Sequence, residues 1–355
     1  MSVFDGGPDR SRQQILYYVH YQWCSGPDVK NVCSALNNGS LLQGTKRRML
    51  TPSGHYVRAN SESILAETII VRPNGEPSGG NRMEGRQMDS NHDPEIVADY
   101  ERDTWARCAE NYVDTFAGIT GEAIPELIKM GSIGAGTHVL EIGSGPGHVA
   151  YTLSKTGANV RGIDFSINMV EVAKRRYPEI PFEQADAEQL PFDQSSFDVV
   201  VASFVVHHLA RPQTVLKEVR RVLKPGGKFV FAVWGAAEEQ SSIGAFFGAV
   251  AAHHDLDELP HGPMFGVVGQ EVFEPLLSSA GLENCQISIL PLVWKTDSID
   301  PIIQGFWDFG DMSALPADTQ NKIKQSTIDN SEPYRKGEGY AFPHPILFGS
   351  ASKAT

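Results

Sequence analysis

The run VLEIGSGPG, at residues 139–147, is the most informative segment of this chain. A short apolar run that ends in a glycine-rich turn is typical of a buried strand feeding a helix. Glycine lets the backbone approach a ligand closely, and the turn aims the first N–H groups of the helix at that ligand. The glycine spacing alone is weak, and a nicotinamide-binding fingerprint would place its third glycine at position 148, which is His148.

Strand-like and helix-like segments alternate from Thr137 onward, which predicts a parallel sheet wrapped by helices. We predict seven strands, in chain order at 139–142, 160–164, 182–185, 197–203, 228–234, 286–294 and 346–351. Two long stretches, at about 235–268 and 296–342, interrupt this pattern. Segments of that length in a compact domain are usually functional lids or carry helices of their own, so we predict helical lid insertions.

The first third of the chain follows another pattern. Residues 1–71 show no sustained periodicity and form an extension of uncertain structure, whereas residues 72–94 are rich in Gly, Pro, Asn and Ser and predict a disordered linker. The domain then spans 95–355, opening with a helix over 95–116 and a second over 121–130. Because Met83 and Met88 precede the first helix, residues 1–87 are expected either to bind a partner or to lie outside the working protein.

Three acids follow three of the predicted strands or end them. Asp164 lies 21 residues after Gly143, where both dinucleotide-binding and adenosyl-binding folds place an acid on ribose hydroxyls, so Asp164 does not discriminate between them. Glu141 ends a buried strand, where a carboxylate needs a cation or donors, and a methionine amino group would suit it. Asp186 follows the third strand and could accept a hydrogen bond from the exocyclic amine of adenine.

The chain resembles the class I S-adenosylmethionine-dependent methyltransferases, especially the small-molecule group called type 11 or UbiE-like. The matching segments are VLEIGSGPG at 139–147, GIDFS at 162–166, ADAEQLPF at 185–192, FDVVVASFVVHHL at 197–209 and RVLKPGGKFVF at 221–231. The resemblance covers residues 95–353 and not the first 90. It implies an α/β, Rossmann-like, doubly wound sheet of seven strands in the order 3-2-1-4-5-7-6, with the last strand antiparallel.

The resemblance also implies S-adenosyl-L-methionine as the cofactor and assigns positions around it. Glycines 143, 145 and 147 would surround the methionine portion, with Glu141 behind them, and Asp164 would bind the ribose diol. Phe165 and Met169 would flank adenine, and Asp186 with Ala187 would form hydrogen bonds along its edge. Ser203 and Phe204 would line the methyl-transfer cleft. Apolar residues such as Phe165 and Met169 are as often core as ligand contacts.

The expected activity is methyl transfer to a small organic acceptor, and the apolar residues of the lids favour an apolar or aromatic one. A general base is needed only if the acceptor must lose a proton. His207 is our candidate base because it follows the fourth strand beside the expected cleft. His208 and the histidines of the first insertion, His253, His254 and His261, keep that assignment open.

Charge and composition exclude several other functions. A net charge of −13, from 30 Lys and Arg against 43 Asp and Glu, makes nucleic acid and anionic membranes poor partners. The four cysteines show no CxxC spacing, so we expect neither a metal site nor a disulfide framework. The absence of a signal-like apolar segment favours a cytoplasmic location. Oligomeric state stays open.

Two alternatives to small-molecule methyl transfer stand beside it. Strand four leads into Ser203-Phe204-Val205-Val206 and not into the Asn/Asp-Pro-Pro-Tyr turn of amine-directed nucleic-acid methylases, which disfavours a nucleic-acid acceptor. The second alternative is a protein of the same fold that binds S-adenosylmethionine without methylating, either catalysing a reaction such as a cyclisation or only binding.

Overall fold

The computed structural model of the protein describes residues 48–50, 56–58, 93–236, 240–254, 260–267 and 269–355. Strands β1 (Arg48–Leu50) and β2 (Tyr56–Arg58) pair antiparallel and belong to a separate unit, residues 23–87. All other described residues belong to the second unit. The predicted linker lies outside the described residues up to position 92, and so does the rest of the N-terminal extension, so those assignments stay predictions.

Helices flank a single large sheet in the second unit. The α-helices of its described part are α1 (Pro94–Cys108), α2 (Ala117–Thr120), α3 (Ile124–Gly131), α4 (His148–Ser154), α5 (Ile167–Arg176), α6 (Pro212–Val222), α7 (Ser241–His253), α8 (Gln270–Ser279), α9 (Asp300–Phe309) and α10 (Ala317–Ser331). None of the described helices combines the length and the apolar character that crossing a bilayer requires.

The sheet has the predicted order. Its strands are β3 (His138–Ile142), β4 (Asn159–Asp164), β5 (Phe182–Gln184), β6 (Phe197–Ser203), β7 (Leu223–Trp234), β8 (Leu282–Thr296), β9 (Arg335–Lys336) and β10 (Gly339–Lys353). The order β5-β4-β3-β6-β7-β10-β8 corresponds to 3-2-1-4-5-7-6, and β10 runs antiparallel to both of its long neighbours. The two-residue strand β9 is an eighth strand that the sequence pattern did not predict.

Each face of the sheet buries its own apolar core, because side chains of successive strand residues point to opposite faces. Val139 and Val199 join the core beneath α3 and α4, whereas their neighbours Leu140 and Val200 join the core beneath α6 and α8. The central strands are therefore apolar on both faces, as a parallel sheet covered by helices requires. This arrangement leaves the carboxyl ends of β3, β4, β5, β6 and β7 along one edge.

One local prediction in this region was wrong. The helix predicted over 95–116 ends at Cys108, and Ile96 in its first turn is 53% exposed. The chain turns after Cys108 because Tyr112 and Phe116 pack against the core through turns and not through a continued helix. Ser166 is the N-cap residue of α5, but its side chain makes no capping bond, and Asp164 accepts from the Ser166 N–H at 2.9 Å.

Both insertions contain helices, as predicted. The first carries α7, and the second carries α9 and α10, which pack around α7. Several apolar residues predicted for the lids lie in the core itself: Phe246, Phe306, Trp307 and Met312 on one face of the sheet and Met264 on the other. Phe265 is 39% exposed. Helix α7 also contacts β10, and α9 contacts α1.

Candidate functional site

The glycine turn between β3 and α4 is shaped by two different requirements. Gly143, Gly145 and Gly147 all have positive φ, at 61°, 51° and 85°. A Cβ added at Gly143 would lie 2.4 Å from Val205 Cγ2, and one added at Gly147 would lie 2.7 Å from Phe182 Cζ, so close packing excludes a side chain at both. At Gly145 the added Cβ would meet only Met169 Sδ, at 4.0 Å. Gly145 therefore borders open space, which forms a cradle that the chain itself leaves unfilled.

Two buried carboxylates flank this cradle. Asp164 accepts from the backbone N–H groups of Gly145 at 2.8 Å and Ser166 at 2.9 Å, and it is 6% exposed. Burial raises the pKa of Asp164 to about 6 despite these bonds, and burial raises the pKa of Glu141 well above its usual range. Among the described residues, no Lys, Arg or His side chain lowers the pKa of either carboxylate. The site thus holds carboxylates that a positively charged ligand would stabilise in their ionised form.

Buried polar atoms without a partner are concentrated at the same edge of the sheet. Among the described residues, the buried side-chain atoms that lack a hydrogen bond are Glu141 Oε2, Ser144 Oγ, His148 Nδ1, Ser166 Oγ, Ser203 Oγ, His207 Nδ1 and His207 Nε2. Leaving such a group unpaired costs about 1–3 kcal/mol. All of them follow or end β3, β4 or β6, so the unmet bonds point to a polar ligand at the carboxyl ends of these strands.

The residues predicted to flank adenine lie beside the cradle with differing exposure. Met169 is 2% exposed and packs in a small cluster with Cys108, Ala109 and Val172. Phe165 directly follows Asp164 and is half-buried, with the Arg102 guanidinium 5.8 Å from its ring centroid. Met169 therefore contributes to both the core and the wall of the cradle.

Asp186 and Ala187 follow β5 next to Asp164, since the Ala185 N–H donates to the Asp164 carbonyl at 3.0 Å. Asp186 is exposed, and its carboxylate accepts from the Glu188 N–H at 2.8 Å, while Ala187 is half-buried. The structure thus brings the ends of β3, β4 and β5 together, as the sequence pattern predicted.

A wall of aromatic side chains begins where β6 ends. Phe204 has φ +58°, an uncommon conformation for a bulky residue, and its ring lies 4.4 Å from that of Trp234. The Trp234 ring in turn lies 5.7 Å from His344. Ser203, just before Phe204, has the unpartnered hydroxyl already described. The wall therefore extends from Phe204, at the carboxyl end of β6, to His344, which lies beside helix α7.

His344 belongs to a buried polar chain behind this wall. Its Nε2 lies 2.8 Å from Ser242 Oγ, and its Nδ1 lies 2.6 Å from Gln240 Oε1. The Gln240 amide N–H donates to the Pro345 carbonyl at 2.8 Å, which directs Oε1 toward the histidine. His344 therefore donates from Nδ1 and accepts the Ser242 hydroxyl proton at Nε2. Burial lowers the pKa of His344 to about 3 and keeps the ring neutral.

The two histidines after β6 have unlike environments. His207 is 6% exposed, and burial together with the neighbouring His208 lowers its pKa well below the usual range. His208 Nδ1 lies 2.9 Å from Glu101 Oε1, and the other oxygen of Glu101 accepts from Trp105 Nε1 at 2.9 Å. Our prediction of His207 as the base thus concerns a residue that is buried and unpaired, whereas its neighbour is oriented by a carboxylate.

Several residues at this site were not predicted from the sequence. Glu101 and Trp105 lie on α1, which was predicted as a helix but not as part of the site. Tyr112, Thr120 and His148 form a second group: His148 Nε2 lies 3.0 Å from Thr120 Oγ1, and the Tyr112 ring lies 5.7 Å from that of His148. Only the adjacency of His148 to Gly147 could have suggested this group, because its other members lie far away in sequence.

An α/β fold with a glycine turn after its first sheet strand and acids after the next two defines a binding site for a nucleoside-containing ligand. Comparison with known proteins identifies the family. Residues 140–231 match the Methyltransf_11 family, described as "Methyltransferase domain". The chain is 34% identical over 220 residues to the ubiquinone/menaquinone biosynthesis C-methyltransferase UbiE of Bdellovibrio bacteriovorus, covering 58% of this chain and 88% of that protein.

Other relatives are similar over shorter segments. The chain is 42% identical over 97 residues to the demethylmenaquinone methyltransferase of Renibacterium salmoninarum, which is 27% of this chain and 41% of that protein. The crystal structure of the YcgJ protein of Bacillus subtilis covers 66% of this chain and 99% of its own, with 22% identity and a TM-score of 0.46. The chain spans only about two fifths of the length of the first demethylmenaquinone methyltransferases that it matches.

The chain belongs to the class I S-adenosylmethionine-dependent methyltransferases, in the small-molecule group that includes UbiE. The cofactor of this family is S-adenosylmethionine, and the site suits it chemically. The open cradle at Gly145, the unpartnered polar atoms around it and the two carboxylates without a cation all fit a ligand that is both polar and positively charged.

Proposed function

We propose that this protein transfers a methyl group from S-adenosylmethionine to a small apolar or aromatic molecule. The observation that carries the proposal is the cluster of buried polar atoms without partners around the cradle at Gly145. A protein that folds with so many unmet bonds in one place gains stability when a ligand supplies the missing partners.

We assign the cofactor contacts as follows. Asp164 accepts from the ribose hydroxyls with the lone pairs that Gly145 and Ser166 leave free, and Glu141 lies behind the methionine portion. The turn at Gly143, Gly145 and Gly147 surrounds that portion. Phe165, Met169, Asp186 and Ala187 contact adenine, and Ser203 lines the cleft.

The cofactor supplies a methyl group that its positive sulfur already activates. What remains for the protein is to align the acceptor and to exclude water, and alignment alone can supply about 7–11 kcal/mol of the barrier at the limit. Phe204, directly after the strand that carries Ser203, and the ring of Trp234, tilted 45° against it, offer an apolar surface for this purpose. The lid helices α7 and α9 pack over the same face of the domain and shield it from water.

The aromatic wall favours a planar acceptor. A ring placed against Phe204 and Trp234 would gain offset-stacking contacts, worth about 0.5–1.5 kcal/mol beyond its buried area. One relative is named a demethylmenaquinone methyltransferase and another a ubiquinone/menaquinone biosynthesis C-methyltransferase, and both names refer to quinones. We therefore choose a demethylmenaquinol as the first acceptor to test.

The test follows a radiolabelled methyl group. The full chain is incubated with S-adenosylmethionine labelled in the methyl group and a demethylmenaquinol, and the organic phase is analysed for labelled product. We expect label in the quinone, formed together with S-adenosylhomocysteine, and no transfer by Asp164→Ala. The Asp193→Ala variant, which removes an exposed carboxylate away from the cradle, serves as the matched control.

The same experiment tests the alternative of a protein that binds without methylating. Calorimetry on the same preparation measures cofactor binding independently of transfer. Binding without label in the demethylmenaquinol or in related phenols and naphthols would contradict transfer to an aromatic acceptor, and an absence of binding would contradict the whole proposal.

A further inference from the structure

Glu101 and His208 form a carboxylate–imidazole pair between α1 and the turn after β6. Glu101 is 4% exposed, and its two oxygens have separate partners: Oε1 lies 2.9 Å from His208 Nδ1, and Oε2 accepts from Trp105 Nε1 at 2.9 Å. A carboxylate can only accept hydrogen bonds, so the bond to His208 requires a proton on Nδ1. In the neutral ring, Nε2 then carries a lone pair.

The lone pair on Nε2 has no partner among the described residues, which bond His208 only through Nδ1. Nε2 is also absent from the buried unpartnered atoms, unlike both ring nitrogens of His207. The His208 side chain is 14% exposed. Its Nε2 is thus oriented and open, which is the state that a proton acceptor requires before it meets a substrate.

His208 also lies at the junction of the two parts of the site. It ends the 3₁₀ turn Val206–His208, which follows Phe204 within four residues. The Trp105 ring contacts His208 edge-on, with centroids 5.1 Å apart, and packs against the small cluster that contains Met169. Through Trp105, the pair is therefore connected to the wall of the cofactor cradle, and through the turn it is connected to Phe204.

We infer that His208 is the general base of the transfer and that Glu101 is its positioning residue. The inference rests on the proposed function, because it supplies the proton acceptor for an acceptor with an O–H or acidic C–H group. As the bond between the acceptor atom and the methyl carbon forms, the carbon–sulfur bond breaks and its electron pair stays on sulfur. The proton of the acceptor passes to His208 Nε2, Glu101 stabilises the imidazolium, and the proton later leaves to solvent.

The pairing predicts an outcome for Glu101→Gln that does not depend on any acceptor. Trp105 Nε1 can only donate, so the glutamine oxygen stays with Trp105 and the amide N–H groups face His208 Nδ1. Nδ1 must then accept, and the proton moves to Nε2, which blocks the base. Nitrogen-15 NMR of histidine-labelled full-length protein at mildly alkaline pH reads the tautomer, with the His208 signals assigned by their loss in His208→Gln.

We expect the Nδ1–H tautomer in the wild type and the Nε2–H tautomer in Glu101→Gln. An Nε2–H tautomer in the wild type, or the same tautomer in both proteins, would overturn the inference. Because this readout needs no turnover, it decides the pairing even if the aromatic acceptors prove wrong.

Activity separates a base from a structural histidine. Two naphthols serve as acceptors: one that is protonated at the assay pH and one that carries nitro groups and is already ionised. We expect His208→Gln to lower the rate roughly 100-fold with the first and less than about 3-fold with the second, since only the first must lose a proton. The control His138→Gln removes an exposed histidine at the amino end of β3 and should change neither rate.

An equal loss with both naphthols would show that His208 acts only on structure and would refute its role as base. Failure of the wild type to methylate either naphthol, with cofactor binding intact, would count against the proposed acceptor class, and the tautomer measurement would still decide the pairing.

Discussion

Buried polar groups lack hydrogen-bond partners in one half of the site and are paired in the other. The half that we propose for the cofactor, the cofactor half, comprises Glu141, the glycine turn at 143–147 and Asp164, and around it lie buried atoms without partners. The half that we propose for the acceptor, the acceptor half, comprises the wall of Phe204, Trp234 and His344, and behind it the polar groups are paired, with His344 bonded on both ring nitrogens. The first half holds unpaired buried atoms, whereas the polar network behind the wall of the second is paired.

This difference indicates what each half must do. Buried groups without partners destabilise the free protein, so the cofactor half stores unmet bonds that a specific ligand can satisfy. A fully paired network is rigid and fixes the side chains in front of it, as an acceptor wall needs if it is to align a ring. The comparison predicts that substitutions in the first half act on ligand affinity and those in the second act on the stability of the free protein.

The largest expected effect comes from Asp164→Ala. Losing charge-assisted hydrogen bonds to two hydroxyls, worth roughly 1.5–3 kcal/mol each, should weaken cofactor binding about 100-fold or more. Stability should also fall, because the N–H groups of Gly145 and Ser166 lose their acceptor. Calorimetric titration with S-adenosylhomocysteine measures the affinity. Asp186→Ala, which removes an exposed carboxylate, should cost less than about 10-fold, and equal losses in the two variants would remove the special role of Asp164.

The pH dependence of stability tests the buried carboxylate in the free protein. Burial raises the pKa of Asp164 from 3.8 to about 6, so between these values the folded state holds a proton that the unfolded state has released. The free energy of unfolding should therefore fall as pH rises through this window, on the order of 2–3 kcal/mol more in the wild type than in Asp164→Asn. Urea unfolding at stepped pH measures it.

Cofactor affinity should change in the opposite direction over the same window. A positively charged ligand and its hydroxyls favour the ionised carboxylate, so binding should tighten as pH rises toward about 6. Identical pH profiles of stability in the wild type and in Asp164→Asn would contradict this account of the site.

Two serines give a matched test of paired against unpaired groups. Ser242→Ala leaves His344 Nε2 buried without its donor and should lower the free energy of unfolding by about 1–3 kcal/mol, with little change in cofactor affinity. Ser203→Ala removes a buried hydroxyl that has no partner and should leave the stability of the free protein equal or slightly higher. If the serine in the cofactor half proved the more important for stability, the contrast between the halves would be wrong.

The smallest effect is expected from two glycines with similar backbone strain. Gly145 and Gly136 have φ of 51° and 80°, and an added Cβ would meet nothing within 4 Å at Gly136 and only Met169 Sδ at 4.0 Å at Gly145. Alanine should lower the free energy of unfolding by about 1–2 kcal/mol at either position. Only Gly145→Ala should also weaken cofactor binding, roughly 10-fold, because its methyl group enters the cradle. Equal cofactor affinities in Gly145→Ala and Gly136→Ala would show that the ligand does not occupy the cradle at Gly145.

The strands of the sheet, and the placement of the glycine turn and the acids at one edge of it, could be predicted from sequence because their signals are local. The strand, the glycine turn and the acids lie within 139–187, and each motif sits directly after the strand that positions it. Parallel strands then bring these ends to one edge without further information. The strand order, including the antiparallel β10, was implied by the resemblance to the class I methyltransferases, and the structure confirms it.

The acceptor half could not be predicted in this way because its contacts join distant segments. Glu101 and His208 are 107 residues apart, and Ser242 and His344 are 102 apart. No local sequence pattern indicates that the members of either pair are in contact. A Glu on an irregular amphipathic helix is usually interpreted as part of the solvent-exposed face. Helix α1 shows the same limit: it is shorter than its apolar pattern predicted, because Tyr112 and Phe116 pack against the core outside the helix.

Calorimetric titration of the full-length protein with S-adenosylmethionine and S-adenosylhomocysteine, alongside NAD and ATP, measures whether the cradle at Gly145 selects an adenosyl sulfonium. We predict saturable one-to-one binding of both adenosyl ligands, weakened by Gly145→Ala and Asp164→Ala, and no measurable binding of NAD or ATP. Tight binding of NAD with no heat from either adenosyl ligand would contradict the account.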